Sequence, residues 1–283
     1  MPQPVLLLGA GRAAHGGYPL ARIAAVRPVV LADSSVPGWA RPFLSGHLQA
    51  DPAREAETAE TVARYAARHP VAGVLTWSRA HLAVTARIAG RLGLPGLPYE
   101  TAAVCADPPA LRALLLRNRV VPTGPEDTEG PLVSAETVVL DDEVRITALT
   151  RTTSLGHSVH AHDALLHNPF LRQSAQRAVR ALGLTHTVAH VGLRLTGRGP
   201  RVTAVAPHLP GDLIPWLVER ATGVDLVGVT LALACGAVPE VTPTRQRAAA
   251  IRFADGACRR TSREYWVVEG ADALECERAF DAA

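Results

Sequence analysis

Lysine is absent from this chain of 283 residues, so all 29 residues in the combined count of lysine and arginine are arginines. Without lysine there is no side-chain amine for Schiff-base chemistry and no lysine to hold a phosphate group. Arginine remains, and its planar guanidinium can hold a carboxylate through two parallel hydrogen bonds. Recognition of an acidic ligand is therefore expected to use arginine.

Cysteine is scarce and the net charge is small. The four cysteines, Cys105, Cys235, Cys258 and Cys276, are widely spaced and form no CxxC or Cys/His pattern, so we interpret them as reduced, structural thiols. The net charge is +3, and the arginines are spread along the chain rather than gathered in a basic tract. A nucleic-acid partner is therefore not expected.

Long apolar runs are also missing, since none reaches the ~18 residues that a membrane-spanning helix requires. The N-terminal sequence MPQPVLLLGAG has no basic region before its short apolar run, which is typical of a first strand rather than a signal peptide. With 48% hydrophobic and 19% charged residues, the composition is that of a packed soluble protein. These features predict a cytoplasmic protein with no membrane partner.

The chain opens with a β-α-β pattern. A buried strand over 5–8 is followed by a glycine turn, a helix over 18–26 and a second strand over 29–31. The turn and the end of the second strand match the dinucleotide-binding fingerprint at Gly9, Gly11, Ala14 and Asp33. One alternative is therefore an NAD-dependent enzyme. The other is that any doubly wound domain needs small residues at its first turn.

Three further elements complete a Rossmann-like domain over residues 1–95. They are a helix over 51–68 that begins at Asp51 and Pro52, a strand over 71–76, and a helix over 79–92 closed by Gly93. A helical connector over 96–126 follows, with one helix over 111–117 and an extended exit over 120–122. Later helices are expected over 168–182, 214–221 and 226–235, and a late strand over 248–253.

The connector resembles the segment of ATP-grasp ligases that joins their Rossmann-like domain to the ATP-binding domain. The residues shared with the pattern GLPG…DK…R…L…P are Gly93, Leu94, Pro95, Gly96, Asp107, Arg112, Leu115 and Pro122. The lysine of the DK pair is replaced by Pro108. Past Pro125, the stretch DTEGPLVSAETVVLDDEVR is similar to a strand pair that the family carries beyond its lid subdomain. The resemblance implies that the lid has been deleted from this chain.

From residue 151 to residue 253 the sequence is similar to the C-terminal half of ATP-grasp carboxylate–amine ligases, including the stretch ATGVDL. We therefore predict an α/β protein. In it, a Rossmann-like N-terminal domain packs on a truncated ATP-grasp C-terminal half of α+β type, over residues 127–283.

The stretch from Leu182 to Pro215 resembles the metal-binding hairpin of these ligases, read as strand, Gly-Pro turn and strand. His190, Arg194 and Thr196 are kept. The resemblance implies two acids and an asparagine as oxygen ligands for magnesium, but Gly192, Ala204 and Ala206 stand at those positions, and His208 replaces an arginine. We expect no metal, no ATP and no other cofactor.

Histidines at the rim of this cleft are the candidate acid–base groups. His190 and His208 can transfer protons near neutral pH, and Asp212 or Glu136 can orient or share the proton.

Residues beside these groups are the candidates for holding the substrate. Arg151 and Arg194 can hold a substrate carboxylate, and His157 and His160 are the other substrate-binding candidates. An alternative for His157, His160 and His162 is a zinc site, and another is a solvated loop.

These observations predict an enzyme, repurposed from an ATP-grasp ancestor, that acts without ATP on an amino acid, a peptide or a related carboxylate. Cyclisation, elimination, isomerisation and hydrolysis are compatible reactions, and natural-product biosynthesis is a plausible setting. The alternatives are a non-catalytic pseudo-ligase or partner subunit, and a ligase completed in trans by another chain. A homodimer or a pairing with another pathway enzyme would suit either.

Overall fold

The computed structural model describes residues 2–121, 129–254 and 264–282. The strands in these ranges are β1 (Val5–Leu8), β2 (Val29–Asp33), β3 (Gly46–Gln49), β4 (Gly73–Leu75), β5 (Leu132–Leu140), β6 (Glu143–Thr152), β7 (Gly156–His160), β8 (Thr187–Thr196), β9 (Gly199–Ala206), β10 (Ala248–Phe253) and β11 (Tyr265–Gly270). The α helices are α1 (Ala13–Ala24), α2 (Glu55–Ala66), α3 (Leu82–Arg91), α4 (Tyr99–Ala106), α5 (Pro108–Arg117), α6 (Pro169–Ala181), α7 (Ile214–Thr222), α8 (Leu226–Ala234) and α9 (Ala273–Asp281).

The first sheet is parallel, with the order β3-β2-β1-β4. All four residues of β1 are buried, as expected for a strand covered on both faces. The predicted β-α-β opening is confirmed. Strand β3 was not expected because its sequence, GHLQ, has no apolar run, and it becomes a strand by pairing with β2.

Helix α2 begins later than the sequence predicted. Asp51 was expected to cap it, but the Asp51 carboxylate instead accepts a hydrogen bond from the backbone N–H of Ala53, in a turn that precedes the helix. The side chain of Thr58 donates to the Asp51 carbonyl and ties this turn to the helix.

The second sheet has seven antiparallel strands in the order β11-β10-β7-β6-β5-β8-β9. The predicted strand pair β5–β6 and the predicted hairpin β8–β9 are both present. The hairpin turn is made by residues 197–198, because Gly199 and Pro200 already pair with Thr196 and Leu195. The predicted Gly-Pro turn is thus wrong by two residues. Strand β9 lies at the edge of the sheet, where a proline without an N–H is tolerated.

The passage between the two sheets is short. Helix α5 ends at Arg117 and β5 begins at Leu132, so the interval has no room for a lid subdomain of several strands. Helix α4 was not predicted, and it packs against α3 and α5. Part of the predicted connector and its exit, residues 122–126, lies outside the described residues. The predicted domain boundaries at 95 and 127 stay predictions.

The seven-stranded sheet has a packed core on each face. One face lies against α5 and α6, with Leu149 and Val191 among the buried residues. The other face carries Val159 and Val188 and packs with α1, α7, α8 and the first sheet in one continuous cluster. The first sheet and the antiparallel sheet therefore enclose a shared interior, and side chains on that face of the large sheet point towards the first sheet.

Three of the cysteines lie in described parts of the chain. Cys105 and Cys276 are buried, Cys235 is half-buried, and all three are free thiols. Burial raises the pKa of Cys105 to about 11, so this thiol is neutral at physiological pH. Cys258 lies outside the described residues. No helix in the described ranges has the length and apolar character that crossing a bilayer requires.

Candidate active site

Two rows of cross-strand partners form the floor of the candidate site. In one row, Glu136 on β5 pairs with His190 on β8, which pairs with Ala206 on β9. In the next row, Gly192 on β8 pairs with Ala204 on β9. Cross-strand partners point to the same face of a sheet, and β8 places His190 on the face of Val188, towards the first sheet.

Glu136 is fully buried, and both of its carboxylate oxygens have polar partners. Its Oε1 atom accepts hydrogen bonds from the hydroxyls of Ser134 at 2.8 Å and Thr150 at 3.0 Å. The Nδ1 atom of His190 lies 3.0 Å from Oε2 and 3.2 Å from Oε1. A buried carboxylate needs such partners because an unpaired buried charge is costly. Ser134 and Thr150 therefore fix the carboxylate that holds the His190 ring.

Glu136 and His190 each shift the pKa of the other. Burial by itself lowers the pKa of His190, but the charge and hydrogen bond of Glu136, with the charge of Asp212, outweigh burial and raise it. Burial by itself raises the pKa of Glu136, but the charge of His190 and the three hydrogen bonds outweigh it and lower the pKa. These directions favour an imidazolium–carboxylate pair near neutral pH.

Asp212 approaches this pair on a backbone held in an unusual conformation. Asp212 and Leu213 have φ angles of 55° and 59°, in the left-handed region that residues other than glycine seldom adopt. Helix α7 begins directly afterwards. Two such residues in succession persist only where their surroundings hold them, and they are common at functional sites. The strained turn places the Asp212 carboxylate at the mouth of the site.

Two further histidines flank Asp212. Nε2 of His157, on β7, lies 3.7 Å from Oδ2 of Asp212, and Nδ1 of His15, on α1, lies 4.0 Å from Oδ1. The His157 ring is 8% exposed and packs edge-on against Phe253. Gly211 makes the approach of α1 possible, because a side chain at position 211 would overlap the His15 ring.

His15 is a site residue that sequence reasoning missed. It lies in the first turn of α1, after the glycine turn that follows β1, where open α/β sheets place ligands. That position was the available signal, but the turn was interpreted through its glycines alone. Helix α1 is tied to the other half of the protein by Tyr18, whose hydroxyl donates to Glu219 at 2.5 Å, and by Arg22, which pairs with Glu219 and Asp225.

The glycines of that turn have local structural roles. Gly9 and Gly11 have φ angles of 72° and 68°, and a side chain at Gly9 would overlap the ring of His81. The Asp33 carboxylate accepts a hydrogen bond from the Ala10 N–H at 2.9 Å. The acid that a dinucleotide would need for its ribose is thus bonded to the turn itself, which favours the structural interpretation of the fingerprint.

The surroundings of His208 shift its pKa in the direction opposite to the shift at His190. Burial, with smaller contributions from the charges of Arg79, His190 and His15, lowers the pKa of His208 to about 4. Its Nδ1 atom lies 2.8 Å from the Leu209 carbonyl oxygen, to which it donates, so Nε2 is left as the acceptor. His208 lines a small cavity of about 70 Å³ between the two sheets. Near neutral pH, this ring is a neutral proton acceptor.

Arg151 and His160 lie elsewhere, which corrects their expected place in the cleft of His190. On β7 the side chains of Ser158 and His160 point away from the face of His157, and Arg151 pairs with Ser158. Arg151 makes two hydrogen bonds to the buried carboxylate of Asp163, at 2.7 and 2.9 Å. Both residues line a groove of about 700 Å³ beside α9, which His157 and His162 also line.

The alternation of side chains along β7 also tests whether His157, His160 and His162 could form a zinc site. His157 and His160 point to opposite faces of β7, and His162 lies in the turn that follows. Among the described residues, no three histidine, cysteine or acidic side chains are placed to hold a metal ion together. The zinc alternative therefore has no support among the described residues.

Arg194 shares the face of His190 but lies near the far end of the hairpin. Four residues of an antiparallel strand span roughly 13 Å, which is the separation of the two positions along β8. The Arg194 guanidinium donates to the Gly130 carbonyl at 3.0 Å, and the residue is half-buried. Only a ligand that extends along the hairpin would contact both residues.

The residues on this face do not fit magnesium and ATP phosphates. Magnesium requires oxygen ligands. Gly192, Ala204 and Ala206 offer none, and the oxygens of Glu136 are already occupied by His190 and two hydroxyls. We therefore derive no chemical step through a nucleotide or a metal ion.

Sequence comparison finds similarity to part of a larger protein. Human carnosine synthase 1 is 40% identical over 77 residues, which cover 27% of this chain and 9% of that protein. The match thus spans a small part of the relative. No protein-family model matches the chain.

Solved structures show a likeness over nearly the whole chain. Phosphoribosylglycinamide synthetase from Anaerococcus prevotii has a TM-score of 0.82 at 14% identity, with 99% of this chain and 97% of that chain covered. L-amino acid ligase from Bacillus licheniformis has a TM-score of 0.82 at 15% identity, with 99% and 96% covered. At such low identities the likeness shows the fold alone. The predicted ATP-grasp-like α/β fold is confirmed.

Proposed function

We propose that this chain is a repurposed ATP-grasp-like protein that acts without ATP on an amino acid, a peptide or a related carboxylate, by histidine-mediated acid–base chemistry. The observation that carries the proposal is the pairing of Glu136 with His190 in the row beside Gly192 and Ala204. A half-buried imidazole, oriented by a buried carboxylate, lies on a face where the resemblance places metal ligands.

His190 and His208 have complementary protonation states. His190 has a raised pKa and serves as the proton donor, while His208 has a lowered pKa and serves as the acceptor. Environments that push two titratable groups in opposite directions separate an acid from a base at one pH. Glu136 holds the Nδ1–H of His190, so the Nε2 atom is the one that delivers a proton.

This division of roles suits reactions that remove a proton from one substrate atom and add a proton to another. Elimination, isomerisation and cyclisation meet this description, and each proceeds with no net change in the protonation of the protein. Arg194 would hold the carboxylate of a substrate that extends along the hairpin. The names of carnosine synthase and L-amino acid ligase support amino acids or peptides as the substrate class. Natural-product biosynthesis in the cytoplasm is the proposed setting.

A second candidate is a ligase or pseudo-ligase that works with another chain. The interval between α5 and β5 is too short for a lid subdomain of several strands, so a partner chain would supply that part. Co-purification with a larger ATP-grasp protein would favour this candidate over the first.

The test of the proposal is a nucleotide-free assay in deuterium oxide. The purified chain is incubated with a panel of amino acids and dipeptides, and proton NMR follows deuterium incorporation and product formation. We expect deuterium exchange or turnover with at least one compound. This activity should be lost in His190→Ala and in His208→Ala. It should be kept in the control variant His167→Ala, which changes an exposed histidine outside the candidate site.

Two results would overturn the proposal. One is activity that appears only when ATP and magnesium are added, together with a reproducible increase in melting temperature on their addition. The other is activity that survives both changes at His190 and His208.

A further inference from the structure

The groove of about 700 Å³ beside α9 lies on the face of the large sheet that is opposite to His190. Ser158 and His160 on β7 line it. Side chains alternate along a strand, so the His157 ring and its neighbour Asp212 are on the other face. Ligand pockets in proteins enclose about 300–1,000 Å³, so this groove has the size of a small-molecule site.

Small side chains form the floor of the groove. Arg151 on β6, Ser158 on β7 and Ala250 on β10 are cross-strand partners and form one row across the sheet. In the next row of the same face, Gly156 pairs with Arg252. The spacings of a sheet put the Cα atoms of Arg151 and Arg252 about 12 Å apart, on either side of β7. Because glycine and serine rise little above the sheet, a small ligand fits over β7 with one arginine on each side.

Arg151 is held as a rigid cation at one wall of the groove. Its guanidinium donates to both oxygens of Asp163, at 2.7 and 2.9 Å, and the Asp163 side chain is 1% exposed. Asp163 is itself fixed, because it also accepts a hydrogen bond from the backbone N–H of Leu165. A guanidinium has five N–H donors, so three remain beyond those that Asp163 uses. The Arg151 side chain lines the groove and is 42% exposed, so it can donate to a ligand with little loss of conformational freedom.

Helix α9 forms the opposite wall, which combines apolar surface with a second cation. Cys276 and Phe280 line the groove from this helix. The Arg252 guanidinium lies over the Phe280 ring, 4.3 Å from the ring centroid. Arg252 also faces Asp281, but at 3.9 Å and with a largely exposed carboxylate this ion pair is weak. The positive charge of Arg252 is therefore available to a ligand.

The charges along the groove are unevenly placed. Its lining carries three arginines and three acids, which are Arg151, Arg247, Arg252, Asp163, Asp272 and Glu277. Burial lowers the pKa of His160, and among the smaller contributions the charges of Glu277 and Asp272 raise it, so these two carboxylates lie towards the His160 end of β7. Arg247 is at that end too, since it precedes Ala248, the partner of His160. An anion is therefore favoured at the other end, from Arg151 to Arg252.

We propose that this groove binds a small organic anion, either a carboxylate or a phosphate monoester. Arg151 holds the oxyanion, Arg252 adds a second positive charge, and the apolar part of the ligand packs beside Phe280. The guanidinium fork suits the oxygens of both anions. The groove and His190 are on opposite faces of the sheet, so this inference goes beyond the proposed function and does not depend on it.

The experiment titrates benzoate and phenyl phosphate separately into the full-length chain, with benzyl alcohol as a neutral compound that has the same ring. Calorimetry measures the affinity, and the NMR signal of the labelled His160 ring reports binding in the groove. We expect saturable binding of at least one anion together with a shift of the His160 signal, and no saturable binding of benzyl alcohol. Binding of benzoate alone would identify a carboxylate site, binding of phenyl phosphate alone a phosphate-ester site, and binding of both a general oxyanion site.

Two variants test the arginines. Arg151→Gln is combined with Asp163→Asn, so that no buried charge is left unpaired. In this double variant the affinity for the anion should fall about tenfold or more, because charge-assisted hydrogen bonds are lost. Arg252→Gln leaves the buried pair intact and should also weaken binding, which keeps the test open if the double variant folds poorly. The matched control is Arg145→Gln, which changes an exposed arginine of β6 that pairs with Glu143, outside the groove, and it should bind as the unchanged chain does.

Three results would overturn the inference. The first is the absence of saturable binding for both anions. The second is binding of benzyl alcohol as tightly as the anions, since apolar contact alone would then explain the affinity. The third is an anion affinity that is unchanged both in the double variant at Arg151 and Asp163 and in Arg252→Gln.

Discussion

Glu136 and His190 face each other across two adjacent antiparallel strands, and Nδ1 of His190 lies 3.0 Å from Oε2 of Glu136. The carboxylate is completely buried, while a quarter of the His190 side chain is exposed. The carboxylate therefore fixes the Nδ1 edge of the ring, while the side chain as a whole keeps some exposure. A ring held at one nitrogen is oriented for proton transfer at the other.

Replacing this anchor should lower the pKa of His190. In Glu136→Gln the charge is lost and the shape is kept, so burial is no longer outweighed and His190 becomes neutral near pH 7. We expect nucleotide-free activity at neutral pH to fall by at least tenfold and the free energy of unfolding to fall by about 1–3 kcal/mol. NMR titration of the labelled His190 ring measures the pKa change directly. An unchanged His190 pKa would contradict the assignment of Glu136 as its partner.

Acidification should destabilise the protein through His208. The folded pKa of about 4 lies below the ordinary value of 6.5, so the folded state disfavours the proton that the unfolded state accepts. The stability contributed by neutral His208 is therefore present above about pH 6.5 and is lost as the pH falls towards 4. At 1.36 kcal/mol per pKa unit, the loss is about 3 kcal/mol.

Urea unfolding at pH 7 and pH 4.5 checks this expectation. His208→Gln should show a smaller difference between the two pH values than the unchanged chain, and His167→Ala should match the unchanged chain. His190 contributes in the opposite sense, since its raised pKa gives stability that is lost as the pH rises. An equal acid sensitivity in His208→Gln would show that other groups cause it.

The sequence predicted the elements whose patterns are local. The strand over 5–8, the helix capped by Asn168 and the helix beginning at Ile214 each have a continuous apolar pattern or a capping residue, and each was placed within a residue or two. Strand β3 was missed because its residues gain a strand conformation only from pairing with β2.

The candidate site was predictable only in part. The pairing of Glu136 with His190 was among the predicted combinations, because Glu136 was one of two acids expected to orient or share the proton of the candidate histidines. The separation of His160 from His157 follows from strand alternation, but it needed the position of β7 to be known. His15 depends on the packing of α1 against the turn at Gly211, a contact between residues nearly two hundred positions apart that no local pattern encodes.

Acidic residues introduced on the β8–β9 face should create a divalent cation site. Gly192 and Ala204 are cross-strand partners, and the resemblance places metal ligands at both positions. In the double variant Gly192→Glu, Ala204→Glu the like charges oppose each other and should cost about 0.5–1 kcal/mol of stability. Millimolar magnesium should restore that loss in a urea titration, because the cation bridges the carboxylates.

The matched control places glutamine at both positions. A side chain at Gly192 comes within 3.0 Å of the Thr203 hydroxyl, so some steric cost is shared by the two double variants. Magnesium should leave the glutamine variant unchanged. Equal magnesium effects on both variants would show that the face is not arranged to hold a cation.

The position of His15 should depend on a contact one turn further along α1. The Tyr18 hydroxyl donates to Glu219 on α7 at 2.5 Å, and the tyrosine pKa is raised by burial and by this carboxylate. Tyr18→Phe removes the hydrogen bond but keeps the ring, so we expect a loss of about 1.5–3 kcal/mol in the free energy of unfolding. Tyr65→Phe is the control, since Tyr65 lies on α2 and its ring packs against the ring of His69. If Tyr18 acts through His15, Tyr18→Phe should also shift the His15 ring signal in an NMR spectrum, whereas a loss of stability with an unchanged His15 signal would show that the contact stabilises the packing of the two halves without positioning His15.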